Sequence, residues 1–307
     1  MDDHMIGSLA ASASGRPVLL RLEGGGAGPA RDPARKPAVG VSSASGVTVA
    51  ELQRAWRAIR DGRFSDGPRP LSWSPGGPVL PVLGSHGSSG ATTLALALAT
   101  SAAPARVVEC APLLSSGLVA AANAELGVCA DGAWLRGSRG QVLIEHNAAQ
   151  IASAAEVPLP AHADRHALSL TVVDAAWEPT SLLGGGGSWL SGLVLSASCV
   201  VVTAVATVPG VRRLEGTLGM LAGRCVVAGV LGPAVKRWPR AVTASTGPMT
   251  RRLLGVGRVF PVPELAGLRT AGLTPDCLPA ALVAAAGEVL RVVGDLTSSI
   301  ADVEDES

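Results

Sequence analysis

The residues best suited to chemistry stand in one run, Leu83-Gly84-Ser85-His86-Gly87-Ser88-Ser89-Gly90-Ala91-Thr92-Thr93-Leu94. An apolar strand pattern over 79–83 enters a Gly/Ser loop, and an apolar helical pattern over 92–101 leaves it. Unpaired N–H groups in such a loop, together with the positive end of the following helix, form a cradle for an anion such as phosphate. Gly87, Ser88, Ser89, Gly90, Ala91, Thr92 and Thr93 are therefore the candidate nucleotide-binding residues. Asp174 closes the apolar run Leu170-Thr171-Val172-Val173-Asp174. With the Thr92 hydroxyl it offers the oxygen ligands that Mg²⁺ takes, so Thr92 and Asp174 are the candidate metal ligands.

Two phosphate ligands suit the loop. Gly84-x-x-Gly87-x-x-Gly90 resembles the pyrophosphate loop of extended short-chain dehydrogenases, with Glu109 where a ribose-binding carboxylate would stand. That family draws its acid and base from a Tyr-x-x-x-Lys pair. The chain has no tyrosine, which excludes such a reductase.

The same segment resembles the deviant Walker A motif of the ParA/MinD family of P-loop ATPases, a signature lysine followed by Gly-Gly-x-Gly-Lys-Thr-Thr. Gly87, Gly90, Thr92 and Thr93 match, whereas His86 replaces the signature lysine and Ala91 the phosphate-binding lysine. The resemblance runs over residues 79–295. Glu109-Cys110-Ala111-Pro112 stands at the family's Asp-x-Asp-Pro turn, with Pro112 kept and the second carboxylate lost at Ala111. Leu170 to Asp174 is similar to the Walker B strand, and Gly232 stands where an adenine-contacting Asn is usual. Among these proteins the loop looks most like an atypical actinobacterial branch that carries Gly-x-His-Gly and no lysine.

The resemblance implies ATP or ADP with Mg²⁺ as ligand, a homodimer, and a role in partitioning, conjugative transfer or positioning of a larger assembly. Loss of an electrostatic group at the transferring phosphoryl costs on the order of 3–4 kcal/mol in barrier. With two cations and a carboxylate replaced, the expected activity is nucleotide binding or sensing with weak or no ATP hydrolysis. The alternative is a structural adaptor with a vestigial nucleotide site.

The elements that must position these residues follow from the alternation of short apolar runs with helical patterns, the signature of a parallel sheet with crossover helices. Strands are predicted at 79–83, 106–110, 169–174, 199–204, 226–231 and 258–262. Helices are predicted at 92–101, 133–155, 188–197, 211–222, 241–254 and 278–295. Six or seven strands in that order give an α/β fold with a doubly wound, mostly parallel sheet, similar to P-loop NTPases, and place ligands at the carboxyl ends of the strands.

Composition narrows the rest. The chain has 307 residues, 48% hydrophobic and 16% charged, at net charge +1. Residues 1–74, rich in Gly, Ala, Ser, Pro and Arg, read as a disordered arm with one short helix at 49–61 and a Pro/Gly linker, an arm suited to docking a protein partner. The α/β domain is expected over 75–297 and an acidic tail over 298–307. Of the 25 basic residues only Lys36 and Lys236 are lysines. Arg237, Arg240, Arg251 and Arg252 make the basic 206–269 segment a candidate surface for non-specific DNA. No apolar run is long enough to span a membrane, and the acidic end opposes a membrane-surface helix, so no membrane partner is expected. Cys110, Cys129, Cys199, Cys225 and Cys277 show no Cys-x-x-Cys pair, which points to buried thiols in a reducing cytoplasm. His162 and His166 flank Asp164 at a spacing that could bind a metal on a helix, but Pro158 and Pro160 argue against a helix there, so exposed loop histidines are expected.

Overall fold

The computed structural model describes Trp56, Trp73 and residues 76–130, 132–161, 168–184 and 187–305. The expectations for the arm, its helix at 49–61 and the His162, Asp164 and His166 loop otherwise lie outside the described residues.

Runs of Val, Leu and Ala build a nine-stranded sheet in the order β3-β4-β5-β2-β6-β1-β7-β8-β9. The strands are β1 Val79–Gly84, β2 Ala105–Glu109, β3 Ala124–Cys129, β4 Trp134–Arg139, β5 Val142–Asn147, β6 Leu170–Asp174, β7 Val200–Val205, β8 Val226–Leu231 and β9 Val259–Val262. From β5 to β9 every neighbouring pair is parallel, and only β3-β4-β5 run antiparallel. The doubly wound, mostly parallel α/β fold expected from the sequence is therefore the observed one. The helices are α1 Ala91–Ser101, α2 Pro179–Gly184, α3 Trp189–Ser196, α4 Val208–Met220, α5 Arg240–Ala244, α6 Pro248–Gly255, α7 Ala266–Ala271 and α8 Ala280–Asp305.

Side chains that alternate along the strands feed a separate core on each face. Val82, Val107, Val172, Val201 and Val227 pack with α1 and α8, while Leu83, Val108, Val173, Val202 and Ala228 pack with α3 and α4. Six consecutive residues of α1, Leu94 to Ala99, are buried. A helix this apolar on all sides needs cover above and below, which the sheet and α8 supply.

Three expectations are corrected. The predicted helix at 133–155 is instead β4 and β5 followed by a 3-10 turn at Ala154–Glu156. Gly140, at φ 56, turns the chain between the strands, and the two runs pair antiparallel from Trp134 with Asn147 to Arg139 with Val142. With β3 these strands widen the sheet beyond the six or seven expected. The predicted helix at 241–254 is two helices, because Pro248 cannot continue a helix and holds Gly247 extended at φ −83 and ψ 179. The final helix, expected over 278–295, runs from Ala280 to Asp305.

Candidate functional site

β1 lies between β6 and β7, so the chain leaves its carboxyl end at the point where the winding reverses, where a crevice opens in sheets of this kind. The loop after β1 is fastened to β7. Ser85 N–H donates to the Thr203 carbonyl at 2.8 Å, and the buried Ser89 and Thr203 hydroxyls share a hydrogen bond of 2.8 Å. Gly84 makes room for that link, since a Cβ there would stand 2.7 Å from Ser89 Oγ. Gly90 enters α1 in the left-handed region at φ 83, a conformation glycine takes without strain. The first intrahelical bond runs from Leu94 N–H to the Gly90 carbonyl at 2.9 Å. The N–H groups of Ala91, Thr92 and Thr93 precede it and stay available to a ligand.

These residues border a cavity of about 360 Å³, lined by the loop from His86 to Thr93 and by Glu109, Ala111, Ser115, Asp174, Ala176, Trp177 and Glu178. The structure thus brings Gly87, Ser88, Ser89, Gly90, Ala91, Thr92, Thr93 and Asp174 together in one place. Among the described residues neither lysine nor arginine lines it. His86 points Nδ1 at the Gly87 carbonyl at 2.7 Å; a carbonyl only accepts, so Nδ1 carries the proton. Its Nε2 is buried without a hydrogen-bond partner.

The electrostatic feature of the cavity is a pair of carboxylates. Glu109 and Asp174 are register partners on the adjacent parallel strands β2 and β6, at a strand spacing of about 4.8 Å, and both are buried. Glu109 accepts hydrogen bonds from the Ser116 hydroxyl, from Gly117 N–H at 2.7 Å and from Leu118 N–H at 3.4 Å. Burial nevertheless raises its pKa against those bonds. Burial and then the neighbouring Glu109 charge push the Asp174 carboxyl up to about 7, while the Thr92 hydroxyl and Ala176 N–H pull it down. Neither of these closes a well-formed hydrogen bond, and both Asp174 oxygens are left buried without a partner.

Orphaned carboxylate oxygens beside a threonine hydroxyl are a hard, all-oxygen donor set. That set fits a divalent cation such as Mg²⁺, which keeps most of its waters and takes few protein ligands. Thr92 and Asp174 would hold it, and its charge would offset the two carboxylates and draw phosphate oxygens to the loop. Among the described residues no group of three or more His, Cys, Asp or Glu side chains stands ready to bind a metal by itself.

Arg237, Arg240, Arg251 and Arg252 are all exposed. They lie apart from the loop, on the 3-10 turn Val235–Arg237, α5 and α6, and Arg251 donates to the Thr246 carbonyl. Arg252 joins Arg224 and Arg258 in the wall of a separate cavity of about 310 Å³. No helix among the described residues is long and apolar enough to cross a membrane.

Sequence reasoning missed the Ser89–Thr203 link and the walls made by Ser115, Ala176 and Trp177. Trp177 Nε1 donates to the Cys110 carbonyl at 2.9 Å, which ties the loop after β6 to the end of β2. Only the position of that loop after the Asp174 strand hinted at it.

No protein-family model matches the chain, and no curated protein matches its sequence. Solved structures do match. A proposed plasmid partition protein of Borrelia burgdorferi B31, bound to AMPPNP, is 11% identical over 71% of this chain and 98% of its own, at TM-score 0.45. The MinD cell division protein of Aquifex aeolicus is 14% identical over 71% and 97%, at TM-score 0.43. The apo McdA of Cyanothece is 15% identical over 69% and 99%, at TM-score 0.45.

Proposed function

We propose that the chain binds a nucleoside polyphosphate, ATP or ADP, together with Mg²⁺, and acts as a nucleotide sensor with weak or no hydrolysis. The observation that carries this reading is Asp174: a fully buried carboxylate with two unpartnered oxygens, facing the N–H-rich loop across a cavity open to a ligand. A buried charge left uncompensated is costly. A cation delivered with a polyphosphate removes that cost, and the N–H groups from Ser88 to Thr93 receive the phosphates.

With no lysine or arginine in the cavity wall among the described residues, charge that develops on a transferring phosphoryl group has backbone dipoles and the cation as its counterweights there. Binding therefore survives where turnover does not. With the sequence resemblance to ParA/MinD proteins, this reading assigns the chain to partitioning, conjugative transfer or positioning of a larger assembly through protein partners. The nucleotide state would control its self-association as a homodimer. The same resemblance assigns Arg237, Arg240, Arg251 and Arg252 to contact with duplex phosphates.

Calorimetry with ATP and ADP, with and without Mg²⁺, is the test. Saturable heat that needs Mg²⁺ and disappears in Asp174→Asn supports the sensor. No heat with either nucleotide leaves the alternative, an adaptor with a vestigial site. Turnover well above background that Thr92→Ala abolishes would refute the non-hydrolysing reading.

A further inference from the structure

The five cysteines occupy different settings, and two of them meet. Cys199 and Cys225 each stand one residue before a strand, and those strands pair in register from Val200 with Val226. Val200 N–H donates to the Cys225 carbonyl at 2.9 Å, which makes the two cysteines neighbours across β7 and β8. Alternation places Cys199 with Val201 and Cys225 with Val227 on the α1/α8 face, where both thiols join the same core. Register partners on adjacent strands have Cα atoms about 4.8 Å apart, inside the span of roughly 4.4–6.8 Å that a disulfide bridges.

A cation completes the group: Arg258, one residue before β9, brings Nη1 to 3.8 Å from Cys225 Sγ. Cys199 is buried but borders a cavity of about 660 Å³, walled by Leu80, Leu290, Val293 and Gly294. Cys225 is half-buried. The pair lies at the amino ends of the strands, four residues below Thr203, which anchors the phosphate loop from the other end of β7.

We propose that Cys199 and Cys225 form a dithiol site for hydroperoxides, with Cys225 as the attacking thiolate, Arg258 as its counter-charge and Cys199 as the resolving thiol. The Cys225 thiolate attacks the terminal oxygen of the hydroperoxide, the O–O bond breaks, and the other oxygen leaves as an alcohol, or as water, after taking one proton. The Cys199 sulfur then attacks the resulting sulfenic acid. The S–O bond breaks, the departing hydroxide takes the Cys199 proton and leaves as water, and the disulfide forms. Two thiols lose two electrons and the hydroperoxide gains them.

The surroundings of the other thiols make the site selective. The Cys199 thiol, by its hydrogen bond, and then the Arg258 charge hold the Cys225 thiol down to about 6 against the effect of burial. Burial, then the charges of Asp174 and Glu109, drive the Cys110 thiol well up, and burial with the Glu145 charge raises Cys129. Contrary to the expectation of five buried thiols, only Cys110 and Cys199 are buried, and Cys277 is exposed on the segment before α8. A low-pKa, partly accessible thiol beside a second one is the setting in which peroxide chemistry concentrates.

The experiment treats the reduced, full-length chain with hydrogen peroxide, alkylates the remaining thiols, and reads intact mass and a non-reducing peptide map. The expected result is loss of two alkylatable thiols, a fall of about 2 Da for the two hydrogens removed, and a linked Cys199–Cys225 peptide. Cys277→Ser should give the same product. At neutral pH, Cys225 should alkylate at least about ten times faster than Cys277. Cys199→Ser should accumulate a dimedone-reactive sulfenic acid at Cys225, and Cys225→Ser should not. Five thiols still alkylatable after peroxide, or Cys225 oxidised to sulfinic acid with Cys199 free, would overturn the proposal. If Cys199→Ser does not fold, the map of the unaltered chain decides by itself.

Discussion

Glu145 and Asp174 are equally buried and face opposite electrostatic circumstances. Glu145, on β5, is fully enclosed, and two arginines hold it. Arg106 donates through Nε at 3.0 Å and also through Nη2, and Arg136 donates through Nε at 2.8 Å with Nη2 at 2.7 Å. Arg106 is itself enclosed and lies over the Trp73 ring, 5.7 Å from its centroid. Asp174, on β6, is fully enclosed too, yet beside it stand a second carboxylate, a hydroxyl and a loop of N–H groups. The protein completes one buried charge from its own side chains. The other is left for an outside cation to complete, which separates a structural carboxylate from a site.

The sharpest way to break that comparison is to remove each charge without changing shape. Glu145→Gln strands Arg106 in the core, and unfolding stability should fall by about 3–5 kcal/mol, read from denaturant midpoints. Asp174→Asn should leave the ligand-free chain within about 1 kcal/mol of the parent or more stable, because it removes a charge that nothing compensates. Equal losses from the two substitutions would end the distinction.

A gain-of-function substitution sharpens it next. Ala91 lines the cavity where the resembled family carries its phosphate-binding lysine. Ala91→Lys should tighten ATP binding by about tenfold, near 1.4 kcal/mol, and raise stability by supplying the missing counter-charge. Calorimetry and thermal unfolding check the two effects separately, and an unchanged affinity would mean that the phosphates lie elsewhere.

The smallest effect belongs to a third carboxylate, half-exposed Glu215 on α4. It accepts from Met249 N–H and Thr250 N–H, both at 2.9 Å, and from the Thr250 hydroxyl at 2.7 Å, which caps α6. Burial alone would raise its carboxyl, but those bonds and the Arg251 charge more than offset it, and the pKa is lowered. A lowered native value means that this stabilisation is present above the ordinary carboxylate value and is lost as pH falls below it through the native one. Glu215→Gln should cost about 1 kcal/mol near neutral pH and flatten the acid limb of the stability curve. An unchanged acid limb would remove Glu215 from the account.

Much of the fold was legible in the sequence. Val, Leu and Ala runs bounded by Gly and Pro located the parallel strands β1, β2, β6, β7, β8 and β9 to within a residue or two. The β3-β4-β5 extension was not legible. β4 mixes Trp134 and Leu135 with Arg136, Gly137, Ser138 and Arg139, so its apolar pattern is weak and its burial depends on partners distant in the chain. The arginine that pairs with Glu145 from β2, Arg106, meets it only because β5 lies beside β2.

By itself, the sequence determined the strand–loop–helix cradle, the positions of Thr92 and Asp174, and the absence of tyrosine and of a loop lysine, because backbone conformation and local pattern suffice for each. Only the tertiary structure decided which buried charges are satisfied and which are open. Pairing β2 with β5 gave Glu145 its arginine, and pairing β2 with β6 set Glu109 against Asp174. Pairing β7 with β8 brought Cys199 to Cys225. Each outcome depends on residues that are distant in the chain and become neighbours only when strand register is fixed, and electrostatic energy depends on that separation in space rather than along the chain.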